Sequence, residues 1–172
     1  MATKTAGRAR TAKKPTPAVR KTAPAPKKAA RAVKKPAPKV QQPAMIRKTI
    51  DPGWAWDDRL PLAQARQIGN TIYVSGQVAY DSNGNPVGEG DMRAQTRQVF
   101  DNIRAVLAAA GARLEDIIKI NTYITDQSRF MEMLDVRREI FGANPPASTA
   151  VVVSALAFPG LLIEVEAIAV KA

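Results

Sequence analysis

The sequence has neither histidine nor cysteine among its 172 residues. Their absence excludes zinc sites built from those ligands, thiol nucleophiles, disulfides and triads in which a histidine activates a serine. General acid and base chemistry is left to Asp, Glu, Lys, Tyr or a bound water, and we expect no metal and no other cofactor. The lack of cysteine is consistent with a reducing compartment, so we expect a cytoplasmic protein. No apolar run is long enough for a signal or membrane segment.

Acidic residues are missing from one whole segment. Residues 1–44 contain 13 Lys and Arg, seven of the 13 prolines and no Asp or Glu, whereas residues 45–172 contain 13 basic and 15 acidic residues. This segment, the basic tail, carries the net charge of +11 and has too little apolar surface to offset the entropy of ordering, so it is predicted to be disordered. It could bind nucleic acid through phosphates without reading sequence. The alternatives are a solvated extension without a partner and a transit peptide, which its lysine and proline content fits poorly.

Residues 45–172 have the length of one compact domain. Three short strands are predicted first, with tight turns at Gly69–Asn70 and at 81–86. A helix follows, with Asp91 as its predicted N-cap and Gly111 as the residue after its C-cap. The apolar stripe of this helix consists of Val99, Ile103, Leu107 and Ala110.

The second half of the domain repeats the alternation of strand and helix. "DIIKINTYIT" predicts a strand, and the next amphipathic helix has Ser128 as its predicted cap and Gly142 as its stop. One face of the strand is predicted to hold Ile118, Ile120, Thr122 and Ile124. The helical stripe consists of Phe130, Met133, Leu134, Arg137 and Phe141. Two more strands close the chain, which gives an α+β fold with one sheet and two helices on one of its faces.

A sheet covered on one side leaves its other face bare. That face carries enough apolar residues to need a cover, so we expect the subunits to associate sheet against sheet.

The last strand places two carboxylates on one face. Alternation puts Glu164 and Glu166 on the same side, about 7 Å apart by two strand rises. Their neighbours on that face are Leu162, Ile168 and Val170, and the opposite face holds Ile163, Val165, Ala167 and Ala169. Desolvation there would raise a carboxyl pKa towards neutrality, which suits a general base or acid acting on water. The alternative is a half-exposed strand end whose carboxylates pair with Arg or Lys.

Two further segments have a composition that could serve a ligand. In "NPPASTAVVVS", the small polar pair Ser148 and Thr149 precedes three valines that predict a strand buried on both faces. Small residues at this position leave room for a ligand, a water or a neighbouring chain. In "YVSGQ", Gly76 beside Ser75 would allow a ligand close to backbone N–H groups, although a bulge or turn is the commoner meaning of such a pair.

Three large side chains have open interpretations. Trp54 and Trp56 stand in a loop rich in Pro and Gly, where they either plug a core edge or subunit contact or line a pocket. Arg137 on the helical stripe either extends its head to water or pairs with a buried anion, and the first is expected.

Several of these segments together resemble the Rid (YjgF) family of enamine and imine deaminases. The resemblance rests on "GNTIYVSGQVAYD", "QTRQVFDNIRAVLAAAGARLEDIIKINTYITD", "FGANPPAST" and "LLIEVEAIAV", in order and at family spacing across residues 46–170. It implies a chorismate-mutase-like fold with a mixed sheet, and a homotrimer with three ligand clefts between subunits. It also implies that Glu166 positions or activates the attacking water and that Ser75 and Gly76 line the cleft.

The chain departs from the family at the substrate carboxylate site. Active members read Pro-Ala-Arg-Ser there, and this chain reads Pro146, Ala147, Ser148 and Thr149. A hydroxyl cannot replace a bidentate guanidinium without loss of affinity. Leu62 or a close neighbour also replaces the family's active-site tyrosine.

The resulting functional hypothesis is a small-molecule hydrolase or deaminase of a subgroup without the arginine. Water held by Glu166 would add to an imine or related carbon of a small-molecule substrate. Backbone N–H groups near Ser75–Gly76 and from Ser148 to Ala150 would hold a substrate oxygen. The alternative is a non-catalytic binding or regulatory trimer whose basic tails contact nucleic acid.

Overall fold

The computed structural model describes residues 47–54 and 60–172, and the basic tail and Trp56 lie outside this part of the chain. A six-stranded sheet is covered by two helices. The strands are β1 (Arg47–Ile50), β2 (Ala65–Ile68), β3 (Thr71–Val78), β4 (Ile117–Ile124), β5 (Ala147–Val152) and β6 (Ile163–Val170), and the helices are α1 (Met92–Ala109) and α2 (Phe130–Phe141). The predicted α+β fold and the order of its elements are confirmed. No helix among the described residues is long and apolar enough to cross a membrane.

The strand order across the sheet is β1, β2, β3, β6, β4, β5. All neighbouring strands run antiparallel except β4 and β5, which are parallel, so the sheet is mixed. A parallel pair requires a crossover connection, and α2 supplies it. The last strand, β6, therefore lies in the middle of the sheet between β3 and β4.

The ends of the helices follow the predicted chemistry with one correction. The Asp91 side chain accepts a hydrogen bond of 3.0 Å from the backbone N–H of Ala94, and Gly111 has a φ of 71° just after the C-cap of α1. Ser128 does not cap α2, whose N-cap residue is Arg129 and makes no side-chain capping hydrogen bond. Asp126 instead caps the turn before α2, where its carboxylate accepts the N–H of Ser128 at 2.9 Å. The reason is a 3₁₀ turn, Gln127–Arg129, that precedes α2 and moves the cap upstream.

The core lies between the helices and one face of the sheet. The predicted stripe of α1 is buried, and Phe100 packs edge-on against Phe141 of α2 with 5.3 Å between ring centroids. In β6 the residues facing the helices are Ile163, Val165, Ala167 and Ala169, which share one face as predicted and are all buried. In β4, however, Ile117 is buried and Ile118 is 54% exposed. The pairing of β4 with β6 shifts register between Ile117 and Lys119, and this shift turns the side chain of Ile118 away from the helices.

The prediction that β5 is buried on both faces is wrong for the single chain. Val151 and Val152 are 44% and 53% exposed because β5 lies at the edge of the sheet and, among the described strands, pairs with β4 alone. The sheet face opposite the helices, the open face, carries Glu164, Glu166, Ile168 and Val170 from β6 and the half-exposed Tyr73 from β3.

Candidate functional site

A bulge in β3 brings the Ser-Gly pair to the centre of the sheet. The pairing of β3 with β6 shifts between Val74 and Gln77, so Ser75 and Gly76 occupy the irregular position. The Ser75 hydroxyl donates to the carbonyl of Ala63 at 2.6 Å, and its N–H donates to the carbonyl of Gln64 at 3.0 Å. Both donors of Ser75 are therefore used within the chain, and the serine holds the bulge in place.

The buried side-chain amide of Gln77 also holds the bulge in place. The Gln77 side chain donates to the Gln64 side-chain oxygen at 2.8 Å and to the Ser75 carbonyl at 3.2 Å. Both glutamines are buried, so these bonds hold the residue before β2 to the last part of β3.

The carboxylate that faces the bulge is Glu164. Its register partner in β3 is Val78, and a Cβ atom added to Gly76 would lie 1.9 Å from Oε1 of Glu164. The glycine therefore provides the space in which this carboxylate lies. Burial raises the pKa of Glu164, and the negative charge of Glu166 raises it further.

Glu164 lines a pocket of about 520 Å³, which we call the Glu164 pocket. Leu62 is 51% exposed and lines it too. The wall contains an edge-to-face pair of Tyr80 and Phe158, with ring centroids 5.8 Å apart. The remaining lining residues are Leu60, Gln64, Gly76, Val78, Gly84 and Ala157.

Glu166 lies in a different environment on the same face. Its Oε1 accepts hydrogen bonds from the Asn121 side-chain amide at 2.6 Å and from the Tyr123 hydroxyl at 3.3 Å. The charge of Glu166, followed by burial and this hydrogen bond, raises the pKa of Tyr123. Glu166 borders a smaller cavity of about 150 Å³, with Tyr73 and Lys119 among its other lining residues.

The segment that resembles the family's substrate site lies elsewhere in the chain. Ser148 is the register partner of Ile120 and so lies on the helix-facing side, whereas Thr149 lies on the open face and accepts a 2.7 Å hydrogen bond from the Lys119 ammonium. None of the four predicted residues from Ala147 to Ala150 is among the described residues that line the Glu164 pocket. One chain thus brings together Ser75, Gly76 and Glu164, but not the start of β5.

Two polar residues of α1 position the pocket wall, and the sequence reasoning missed both. The buried Gln95 side chain donates to the Gly160 carbonyl at 2.8 Å and accepts the N–H of Leu162 at 2.8 Å, which anchors the segment carrying Phe158. The Asn102 amide donates to the carbonyls of Val78 and Tyr80 at 3.0 and 2.8 Å. The available signal was the presence of amide side chains, seven residues apart, beside an otherwise apolar helical stripe.

The structure bears on two large side chains, Trp54 and Arg137, for which the sequence left more than one interpretation. Trp54 is half-buried and packs against the hydrophobic core, as a core plug would. Arg137 is only 8% exposed, so the expectation that its head extends to water is not met. Its Nε has no hydrogen-bond partner among the described residues, and burial lowers its pKa.

A family profile, related sequences and solved structures all match this chain. The family profile described as Endoribonuclease L-PSP matches residues 56–171. A RutC family protein of Pyrococcus horikoshii is 44% identical over 111 residues, which cover 64% of this chain and 87% of that protein. A protein of Dermatophagoides farinae named 2-iminobutanoate/2-iminopropanoate deaminase is 36% identical over 110 residues, covering 64% of this chain and 85% of its own. The crystal structure of Rv2704 from Mycobacterium tuberculosis, described as a member of the YjgF/YER057c/UK114 family, matches with a TM-score of 0.64 at 33% identity, over 73% of this chain and 100% of that chain.

Proposed function

Because the chain belongs to the Rid (YjgF) family, we propose that it is a hydrolase that deaminates small reactive imines or enamines in the Glu164 pocket. The observation that carries this proposal is the carboxylate of Glu164, which lies against Gly76 in a largely apolar pocket. Desolvation raises the pKa of Glu164 and makes its carboxylate a stronger base than an exposed one. The relative named as an imine deaminase supports the same reaction class.

In the proposed reaction, Glu164 rather than Glu166 holds the water. The carboxylate accepts a proton from the water as the water oxygen bonds to the carbon of the protonated imine, which gives an amino alcohol that carries the former imine nitrogen. This proton then passes from Glu164 to the nitrogen. As the C–N bond breaks, the hydroxyl group gives its own proton to the Glu164 carboxylate and becomes the carbonyl, and ammonia leaves. Glu166 already accepts hydrogen bonds from Asn121 and Tyr123, so we assign it to holding the open face together.

We further propose that a homotrimer completes the site. The open face has exposed apolar side chains, and β5 is an unpaired edge among the described residues. Packing of these surfaces between copies would bring the start of β5, from Ala147 to Ala150, to the mouth of a neighbour's pocket. Outward N–H groups of this edge strand would then hold a substrate oxygen.

The test is ammonia release from freshly generated imines, including 2-aminoacrylate and an imine without a carboxylate. We expect Glu164→Gln to lower the rate about 10²-fold or more, since general base catalysis contributes about this much. Glu166→Gln should have a smaller effect, and Ser148→Arg should improve turnover only of the carboxylate-bearing imine. A wild-type rate for Glu164→Gln would overturn the role of Glu164. Absence of ammonia release from every imine would overturn the enzymatic proposal.

As a second candidate function, we propose that the basic tail contacts nucleic acid, either in addition to catalysis or in place of it. For both functions we propose that the protein acts in the cytoplasm. The observation that favours it is the charge distribution, with 13 Lys and Arg and no acid in residues 1–44. DNA retention at two salt concentrations, with and without residues 1–44, tests it. We expect salt-sensitive retention that disappears on truncation, whereas equal retention by both forms would overturn it.

A further inference from the structure

The Glu164 pocket has an unusual balance of charge. Among the described residues that line it, Glu164 is the one charged side chain, and none is Lys or Arg. No ion pair joins Glu164 or Glu166 to a described residue, although the two carboxylates share one face of β6. The described lining residues therefore give the pocket a negative potential, which disfavours a ligand that carries its own carboxylate.

The Glu164 carboxylate also has no hydrogen-bond donor among the described residues, whereas that of Glu166 has two. A partly buried carboxylate without a donor is held at a cost in free energy, because its hydration has been reduced and nothing replaces it. A ligand that brings an N–H donor with a positive charge removes this cost. A neutral or anionic ligand of the same shape does not.

The rest of the pocket suits the apolar part of such a ligand. Tyr80 and Phe158 present ring faces and edges, and Phe158 is 45% exposed, so its surface is available. Leu60, Leu62 and Val78 complete an apolar wall. Aromatic faces attract organic cations as well as hydrocarbon. A volume of about 520 Å³ is within the usual range for small-molecule sites.

We propose that the pocket selects organic cations with an apolar or aromatic body, with the charged nitrogen at Glu164 and the body against Tyr80 and Phe158. This inference rests on the proposed function where it names the substrate class, a protonated imine without a carboxylate. For such a substrate, R–CH=NH₂⁺ and water give R–CHO and NH₄⁺. Glu164 pairs with the iminium before reaction and accepts the water proton during it.

Binding of stable probes tests the charge selection without requiring any reaction. Benzylamine, protonated at neutral pH, is compared with benzyl alcohol and benzoate by calorimetry on the full chain. We expect benzylamine to bind tightest and to lose about 10- to 100-fold in affinity in Glu164→Gln, as the loss of a charge-assisted hydrogen bond implies. Benzyl alcohol should bind both forms about equally.

A matched control separates the pocket from the overall charge. Glu115→Gln removes one exposed carboxylate that does not line the pocket, and it should leave benzylamine binding unchanged. The proposal is overturned if benzylamine binds Glu164→Gln as tightly as wild type, or if benzoate binds the full chain more tightly than benzylamine does.

The same variants distinguish this inference from the proposed function. If imines are hydrolysed but a 2-imino acid is preferred over an apolar imine of equal size, the deaminase proposal stands and the cation selection fails. If benzylamine shows the Glu164-dependent binding but no imine is hydrolysed, the site is a cation-binding pocket and the deaminase proposal fails.

Discussion

The protonation of Glu164 links the stability of the protein to pH. Burial, followed by the charge of Glu166, raises the pKa of Glu164 above its ordinary value of 4.5. Between these two pKa values the folded state binds more protons than the unfolded state, so stability falls as pH rises through this window. Above the raised pKa, the cost of burying the ionised Glu164 carboxylate lowers the stability in full. Below 4.5 the carboxyl group is protonated in both states and this cost is absent.

We expect Glu164→Gln to be more stable than wild type at pH 8 and equally stable near pH 4, because the amide carries no charge to desolvate. Thermal unfolding followed by calorimetry at the two pH values measures this. In wild type, kcat should fall as the pH is lowered through the raised pKa, since the base must be ionised. A lower melting temperature of the variant at pH 8 would show that the Glu164 carboxylate is stabilised in the folded state.

Gly76 tests whether the position of the carboxylate matters as well as its charge. A methyl group at residue 76 would lie 1.9 Å from Oε1 of Glu164, and the flexible end of the glutamate would move away. We expect Gly76→Ala to fold normally and to lose up to about a hundredfold in kcat, as misplacement by about 1 Å can cause. Ammonia release and thermal unfolding measure the two effects.

A double variant provides the control for this clash. Glu164→Asp shortens the side chain by one methylene, so the methyl at residue 76 should cost less activity in the aspartate background than in wild type. Equal losses in both backgrounds would mean that the alanine acts through the bulge and not through the carboxylate.

At this scale the sequence located the face of the two glutamates but not which of them lies against Gly76. Alternation along β6 predicts that Glu164 and Glu166 share a side, and they do. Which of them faces Gly76 depends on the bulge between Val74 and Gln77. A bulge inserts one residue into a strand, and here its position depends on side-chain hydrogen bonds such as that from Gln77 to Gln64, which no local pattern encodes.

At the scale of elements, the contribution of the N-cap of α1 to the free energy of unfolding can be measured. Asp91 accepts the N–H of Ala94, one of the backbone donors that the first turn leaves unsatisfied. We expect Asp91→Ala to reduce the free energy of unfolding by about 1 kcal/mol. Asp101→Ala is the control, because Asp101 is an exposed residue within the same helix whose partner is Arg104 three residues on. It should change stability by no more than about 0.5 kcal/mol. Denaturant unfolding compares them, and equal losses would contradict the capping role.

The type and order of the elements were predictable because each has a strong local signal. The stripe of α1 and the alternation in β6 reflect the 3.6- and 2-residue periods of their backbones. The burial of β5 was not predictable, because three valines have the same local pattern in a central strand as in an edge strand. Its exposure follows from the strand order, in which β6 rather than β5 takes the central position.

At the scale of the whole molecule, the described chain leaves two surfaces without a partner. The open face is not covered by a described helix, and the outer edge of β5 is not paired with another described strand. Tyr73 is 50% exposed and lies directly beside Ile168, and Val170 and Val151 are each at least 40% exposed. Apolar residues of this size in one contiguous face are the basis for our proposal that another subunit covers it. In a trimer the same contact would determine the activity, because it would supply the start of β5 to the neighbouring pocket.

Tyr73→Lys distinguishes a free face from a covered one. On a lone chain, a lysine at this half-exposed position would change stability by no more than about 0.5 kcal/mol. In a sheet-to-sheet interface it would bury an ammonium, and Glu166, which lines the same cavity as residue 73, already accepts hydrogen bonds from Asn121 and Tyr123. The desolvation of the ammonium, which costs several kcal/mol, would therefore be only partly offset. We therefore expect wild type to have three times the mass of one 18.5 kDa chain in light scattering, and Tyr73→Lys to have the mass of one chain with reduced ammonia release.

The control places the same charge on the opposite side of the protein. Ala108 is exposed on α1, so Ala108→Lys should leave both the mass and the activity of wild type unchanged. If wild type itself has the mass of one chain, the open face is solvated and the start of β5 cannot belong to a neighbour's site. The Glu164 pocket would then have to act with the residues of a single chain, and Tyr73→Lys would leave its activity intact.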